Sequence, residues 1–173
     1  MFGIRELAEE LTTVSWVEAV CSSILIDRAG TVVDPHAKVS MYRRGRCHAR
    51  QAVKLRDLVP VLREAQPSGP APSALAATEA LGQMPDHYFR MGFHDHVLPE
   101  MQRRYALAIN CCSWWSDAPA AKLFTDGIAN ATASLSAFED LSADIDIVAM
   151  SASASVEIDD LKIRWREFGS ELG

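Results

Sequence analysis

Residues 93–100 read FHDHVLPE: two histidines flank an aspartate, and a glutamate follows four residues after the second. Imidazole nitrogens and carboxylate oxygens are donors that zinc, iron and manganese accept. On a continuous helix His94 and His96 point about 200° apart and cannot share an ion. Pro85 and Pro99 bracket the stretch, which places residues 94–96 in a bend between helices where the two rings could converge. Glu100 then shares a helical face with His96, and His87 with His94. A cluster of His87, His94, His96 and Glu100, with Asp95 beside it, could hold Zn, Fe or Mn with an open position that activates water for hydrolytic or oxidative chemistry. The stronger expectation is a polar joint between helices with no ion and no cofactor, because nothing beyond the pattern supports a metal.

The second stretch able to do chemistry is MYRRGRCHARQAVK, residues 41–54. If extended, Tyr42, Arg44, Arg46, His48 and Arg50 line one face and could grip phosphate or carboxylate through bidentate guanidinium contacts. A solvated sheet edge, kept from aggregating by its charge, explains the same residues without a ligand. In the third stretch, CCSWWSD, two adjacent tryptophans leave a helix. One of Trp114 and Trp115 is expected in the core and the other partly exposed, in the manner of an interface anchor, unless both pack under a loop.

Charge is unevenly placed in a chain of net charge −6. Residues 38–63 hold eight Lys/Arg and one acid, whereas residues 139–173 hold nine acids and three bases, Asp159 and Asp160 among the acids. The basic segment could meet an anionic partner and the acidic one a cationic surface, or the two could pair with each other. The acidic balance and the small arginine footprint argue against nucleic acid.

Several classes of chemistry lack their motifs. The nine glycines are scattered, so neither a phosphate-binding loop nor a dinucleotide fingerprint is present. There is no H-E-x-x-H and no G-x-S-x-G. The opening, MFGIRELAEELTT, has acids where a signal peptide needs a basic start and an apolar run. No stretch approaches the ~20 apolar residues of a membrane span. Cys21, Cys47, Cys111 and Cys112 have no metal-finger or C-x-x-C spacing and read as reduced thiols, so a cytoplasmic protein is expected.

The elements that must position these residues come from hydrophobic periodicity. Residues 3–13 carry Ile4, Leu7, Ala8 and Leu11 on a helical stripe. SSILIDRAGTVVD then alternates around Gly30, which predicts a hairpin, and AKVSMYRRGR predicts a third strand. VEAVCSSILIDRAGTVVD, residues 17–34, resembles the helix-then-hairpin opening of roadblock and longin-type domains; no function carries across. A helical stripe over 51–64 meets Pro60, and QPSGPAPS, residues 66–73, reads as a proline-rich linker. Beyond it come an alanine-rich helix over 74–82, a short helix after Pro85, another after Pro99, and one capped by Asp117 on which Phe124, Ile128, Ala131, Leu135 and Phe138 repeat. DIDIVAM, near 144–150, alternates as a late strand, and 156–168 fits a helix slightly better than a strand.

The expected fold is therefore α+β: a small antiparallel sheet packed by several helices, in one domain over 1–173. A β-rich basic half, 1–65, is joined to a mainly helical half, 74–173. The expected function is that of a small soluble binding protein without catalysis, of the inhibitor, immunity or accessory-subunit kind, docking another protein. Its contacts would be Tyr42, Arg44, Arg46, Arg50, Trp114, Trp115, Asp159 and Asp160. The alternative is a small metal-dependent enzyme built on residues 94–100.

Overall fold

The computed structural model describes residues 1–59, 79 and 81–142, and among these there is no strand. Among the described residues the expected hairpin and third strand are replaced by helices. α1 spans Ile4–Thr31 and α2 Pro35–Asp57; α3 spans Asp86–Gly92; a π-helical turn, Phe93–Val97, leads into α4, Leu98–Cys111; α5 spans Ala118–Ser142. The expected late strand near 144–150, the segment 156–168 and the linker 66–73 lie outside the described residues, as does most of the expected helix 74–82.

The hairpin fails because SSILIDRAG is the last third of α1. Leu11, Val14, Cys21, Leu25 and Ala29 are buried at steps of three, four and seven that keep one helical stripe facing the core. Ser15, Glu18 and Ser22 also lie on that buried face, and these polar residues broke the apolar pattern in sequence. Gly30 does not take the positive φ that the hairpin turn required, and the helix runs through it to Thr31. The resemblance to a helix-then-hairpin opening ends with it.

The predicted third strand is α2. Asp34 caps it: its carboxylate accepts from the backbone N–H of His36 and of Ala37, at 3.2 and 2.8 Å, and Pro35 supplies the first turn. Those bonds, chiefly the one from Ala37, hold the Asp34 carboxyl below its ordinary value. Ala37, Met41, Gly45, His48, Ala52 and Leu55 form the buried stripe, again with a polar member inside it. The expected helix over 51–64 is thus the end of a longer one that stops at Asp57.

α1 and α2 lie antiparallel and close. Ser15 Oγ donates to the carbonyl of Ala52 at 2.9 Å, and Gly45 sits where a Cβ would fall 3.2 Å from the backbone oxygen of Ser22 and 2.8 Å from Ile26. α3 and α4 also run against α1: Arg104 of α4 pairs with Glu10 at one end, and the Arg28 guanidinium lies 4.8 Å from the ring centre of Phe89 of α3 at the other. α5 returns antiparallel to α4 and to α2, so each helix of the α1–α2 pair has a partner in the second pair. One core runs through all of them; Phe89, Phe93 and Phe138 meet in it at centroid distances of 5.2 to 6.4 Å.

Residues 94–96 do not form a bend. The Leu98 N–H bonds to the Phe93 carbonyl, five residues back, which widens one turn just before Pro99, and the rod continues from α3 into α4. Near the opposite terminus of that rod, Phe2 N–H donates to the Cys111 carbonyl at 2.7 Å, tying the start of α1 to the end of α4.

Candidate functional site

Five cations of α2 converge on one groove. Lys38, Arg43, Arg44, Arg46 and Arg50 line a cleft of about 820 Å³ whose apolar floor comes from Ile26 and Ala29 of α1 and from Val39 and Tyr42 of α2. In a helix, Arg43, Arg46 and Arg50 fall on one stripe, and so do Tyr42, Arg46 and Arg50. The expected contact residues Tyr42, Arg44, Arg46 and Arg50 are therefore together, though on a helix face instead of a strand. Arg43, which strand alternation puts on the other side, joins them, as does Lys38, which precedes the stretch 41–54.

None of these five cations forms an ion pair with a carboxylate among the described residues. Elsewhere the pattern is different: Arg90 pairs with Asp86, Arg103 with Glu100, Arg104 with Glu10 and Lys122 with Asp126. Like charges three or four apart on a helix oppose it by about 0.2–0.5 kcal/mol per pair. The groove thus keeps a repulsion that an anionic ligand would relieve.

His48, expected in the same cationic stripe, points the other way. It is fully buried at the centre of a polar network to which α1, α2, α4 and α5 each contribute. The Glu18 carboxylate takes two donors: Nδ1–H of His48 at 2.5 Å and the hydroxyl of Tyr105 at 2.5 Å. A carboxylate only accepts, so the proton on that side belongs to the imidazole, and His48 Nε2 faces Ser134 Oγ at 3.2 Å. Gln51 donates to the Leu123 carbonyl at 2.6 Å, one turn along. Carboxylate, imidazole and hydroxyl stand in the order of a nucleophilic triad, but Glu18, His48 and Ser134 have no exposed surface. A substrate has no approach to Ser134 Oγ in this conformation. What the network does is join the four helices at mid-height.

Burial, then the charge of Glu18, push the Tyr105 phenol well above its ordinary value of 10.0. The same two causes raise the Cys21 thiol above 9.0. The unfolded chain releases these protons first as pH rises, so the native state binds more protons and stability falls. Stability is therefore complete below about pH 9 and declines above it, as first the thiol and then the phenol ionise in the unfolded chain. We expect the melting temperature followed by circular dichroism to drop between about pH 9 and 11, and to drop less steeply in Tyr105→Phe. Equal slopes for the two proteins would remove Tyr105 as a titrating group.

The histidine stretch is dispersed along the rod. His94 Nδ1 donates to Asp95 at 2.6 Å, Glu100 accepts both guanidinium bonds of Arg103, and His96 is half-buried. The His87 side chain lies outside the described residues. Among the described residues no three of His, Cys, Asp and Glu stand close enough to share an ion. The four cysteines are free thiols, and burial followed by Asp117 raises Cys112 to about 11.

Both tryptophans of CCSWWSD are on the surface, Trp114 84% and Trp115 98% exposed, which corrects the expectation that at least one is core. Asp117 accepts from Ser113 N–H at 2.7 Å and closes the connection between α4 and α5. The tryptophan pair lies at the bundle end holding the start of α1, away from the groove. Asp159 and Asp160 lie outside the described residues. Among the described residues, no helix is long and apolar enough to cross a membrane.

Comparison with known proteins adds no relative: no family model matches the chain, and no curated protein or solved structure is significantly similar to it.

Sequence reasoning missed the buried network entirely, although a signal was present. Glu18 stands on the stripe of Leu11, Val14, Cys21 and Leu25, and His48 stands on that of Met41, Ala52 and Leu55. A lone ionisable residue on each of two apolar stripes marks a buried pair once both segments are read as helices.

Proposed function

We propose that this protein is a soluble binding module without catalysis, and that its α1–α2 groove receives an acidic, partly apolar segment of a partner protein. One observation carries the reading: five cations line an apolar-floored groove with no carboxylate partner among the described residues. Arginine matches a carboxylate through two parallel bonds, and the groove offers several guanidinium groups along one helix face. The apolar floor fits aliphatic side chains between the acids, which favours a peptide over a nucleic acid backbone. The net charge of −6 also repels a long polyanion at a distance.

The test is fluorescence anisotropy with a labelled synthetic peptide carrying alternating leucine and glutamate, at low and at high salt. Arg46→Glu/Arg50→Glu is expected to weaken binding by about tenfold or more, with an unchanged circular dichroism spectrum because both side chains are exposed. Binding should also weaken with salt, since solvent-exposed charges are screened within about 10 Å at 0.1 M. Equal affinities for the native and double-variant chains would sink the reading. Tighter binding of single-stranded DNA than of the peptide would replace the protein partner by a nucleic acid.

A further inference from the structure

Resting on that reading of the groove, we propose that its occupant is a helix: an acidic, amphipathic helical segment of the partner, laid along α2 with its apolar stripe on the groove floor. Length follows from the cations. Lys38, Tyr42, Arg46 and Arg50 stand at steps of four and form one ridge of α2. That ridge spans about 18 Å, the length of a helix of about 12 residues. Val39, Arg43 and Cys47 form the ridge beside it. A second helix meets such ridges with its own rows of side chains, whose acids at steps of four recur at the same spacing of about 6 Å.

Hydrogen bonding decides between a helix and an extended strand. An extended peptide brings backbone N–H groups that need acceptors, and each one buried without a partner weakens the complex. The cleft offers donors instead. Among the described residues that line it, the Tyr42 hydroxyl is the one side-chain oxygen, and the other polar side chains are the five cations and the Cys47 thiol. α2 is unbroken from Lys38 to Arg50, so its backbone groups are spent within the helix. No strand edge exists among the described residues for a peptide to extend. A helical ligand keeps its own N–H groups paired and presents side chains alone.

Shape agrees. The α1 side of the cleft is low: Ala29 and Gly30 carry little or no side chain, and a Cβ at Gly30 would meet nothing within 4 Å. Small facing residues let two helix axes pack at the near end of the usual range of about 8–10 Å. Val39 and Tyr42 are 48% and 47% exposed, and Val33 in the α1–α2 turn 95%, which leaves apolar surface for the ligand's aliphatic side chains to cover. The lining cations all stand on α2, beside the floor and not opposite it. The ligand therefore needs its acids and its apolar groups on adjacent faces. A helix supplies that arrangement, whereas a strand sends successive side chains to opposite faces.

The experiment uses the full chain and three labelled peptides of equal length and charge. In the first, glutamate and leucine form adjacent stripes at steps of three and four, with alanine between; the second alternates leucine and glutamate; the third is the first with one central alanine replaced by proline. The first is expected to bind about tenfold or more tightly than the second, and the proline to remove that gain. Gly30→Leu adds a side chain at an exposed helical position without positive φ, so the circular dichroism spectrum should not change. It is expected to weaken the first peptide about tenfold by blocking the low wall. The bound first peptide should also slow alkylation of Cys47 by iodoacetamide several-fold, followed by mass spectrometry. Equal affinity for all three peptides, lost in Arg46→Glu/Arg50→Glu, would overturn the helical occupant while leaving the groove reading intact. Binding of none of them would overturn both. Tight binding of the first peptide that ignores Gly30→Leu and leaves Cys47 unprotected would put the helix on another surface, and would overturn the proposal as well.

Discussion

Glu18→Ala is expected to destabilise the fold by about 3–5 kcal/mol, the cost of two buried donors left unsatisfied together with the void the side chain leaves. The carboxylate has no exposed surface and satisfies two donors at once, His48 Nδ1–H and the Tyr105 hydroxyl. Alanine leaves both without a partner in a site that water does not reach, and adds a void. Glu18→Gln should be milder, at about 1–3 kcal/mol, the cost of one unsatisfied buried group. Its amide oxygen still accepts from Tyr105, and its amide group can donate to Nδ1 if the imidazole proton moves to Nε2, where Ser134 accepts it. Urea unfolding of the three proteins measures the order. If Glu18→Gln were as damaging as Glu18→Ala, the tautomer account would fail and the charge itself would be what matters.

Gly127→Ala is the second large effect. A Cβ at this position would stand 2.5–2.7 Å from three atoms of the Tyr105 ring, nearer than any real contact. Surface helices gain about 1 kcal/mol from this exchange. Here the ring cannot retreat, because it is buried and its hydroxyl is bound to Glu18. Overpacking of about 1–3 kcal/mol adds to loss of the tyrosine–carboxylate bond, about 1.5–3 kcal/mol, which after the helix gain leaves a net destabilisation of about 1.5–5 kcal/mol. The decisive comparison is in a Tyr105→Ala background. With the ring gone, the same Gly127→Ala change should become neutral or stabilising, and a loss of equal size in both backgrounds would show that the clash lies elsewhere.

What the sequence made legible divides along the chain. Helices after Pro85 and Pro99, and the one following Asp117, were readable because proline fixes a first turn and because Phe124, Ile128, Ala131, Leu135 and Phe138 repeat at helical spacing. α1 and α2 were not, because their core faces carry polar residues. Glu18 and Ser22 interrupt the first stripe; Gly45 and His48 interrupt the second. With those positions read as surface, Ile24 and Ile26 looked like alternation, and Gly30 like a turn. Tertiary burial overrode the local pattern. The groove was half legible: its arginines were recognised as a set, but strand geometry chose the wrong neighbours, taking in the buried His48 and omitting Arg43.

The network at mid-height has one member on each of the four long helices: Glu18, His48, Tyr105 and Ser134. A helix that slips by one turn moves about 5.4 Å along its axis, well beyond hydrogen-bond reach. Apolar stripes alone tolerate such slips, since one aliphatic contact resembles the next. The four polar positions therefore act as an address, in which each helix is identified by what it must meet. They are bound to change in concert or not at all. A chain that has diverged elsewhere, yet keeps glutamate, histidine, tyrosine and serine in this order on four successive long helices, would carry the same alignment of its bundle.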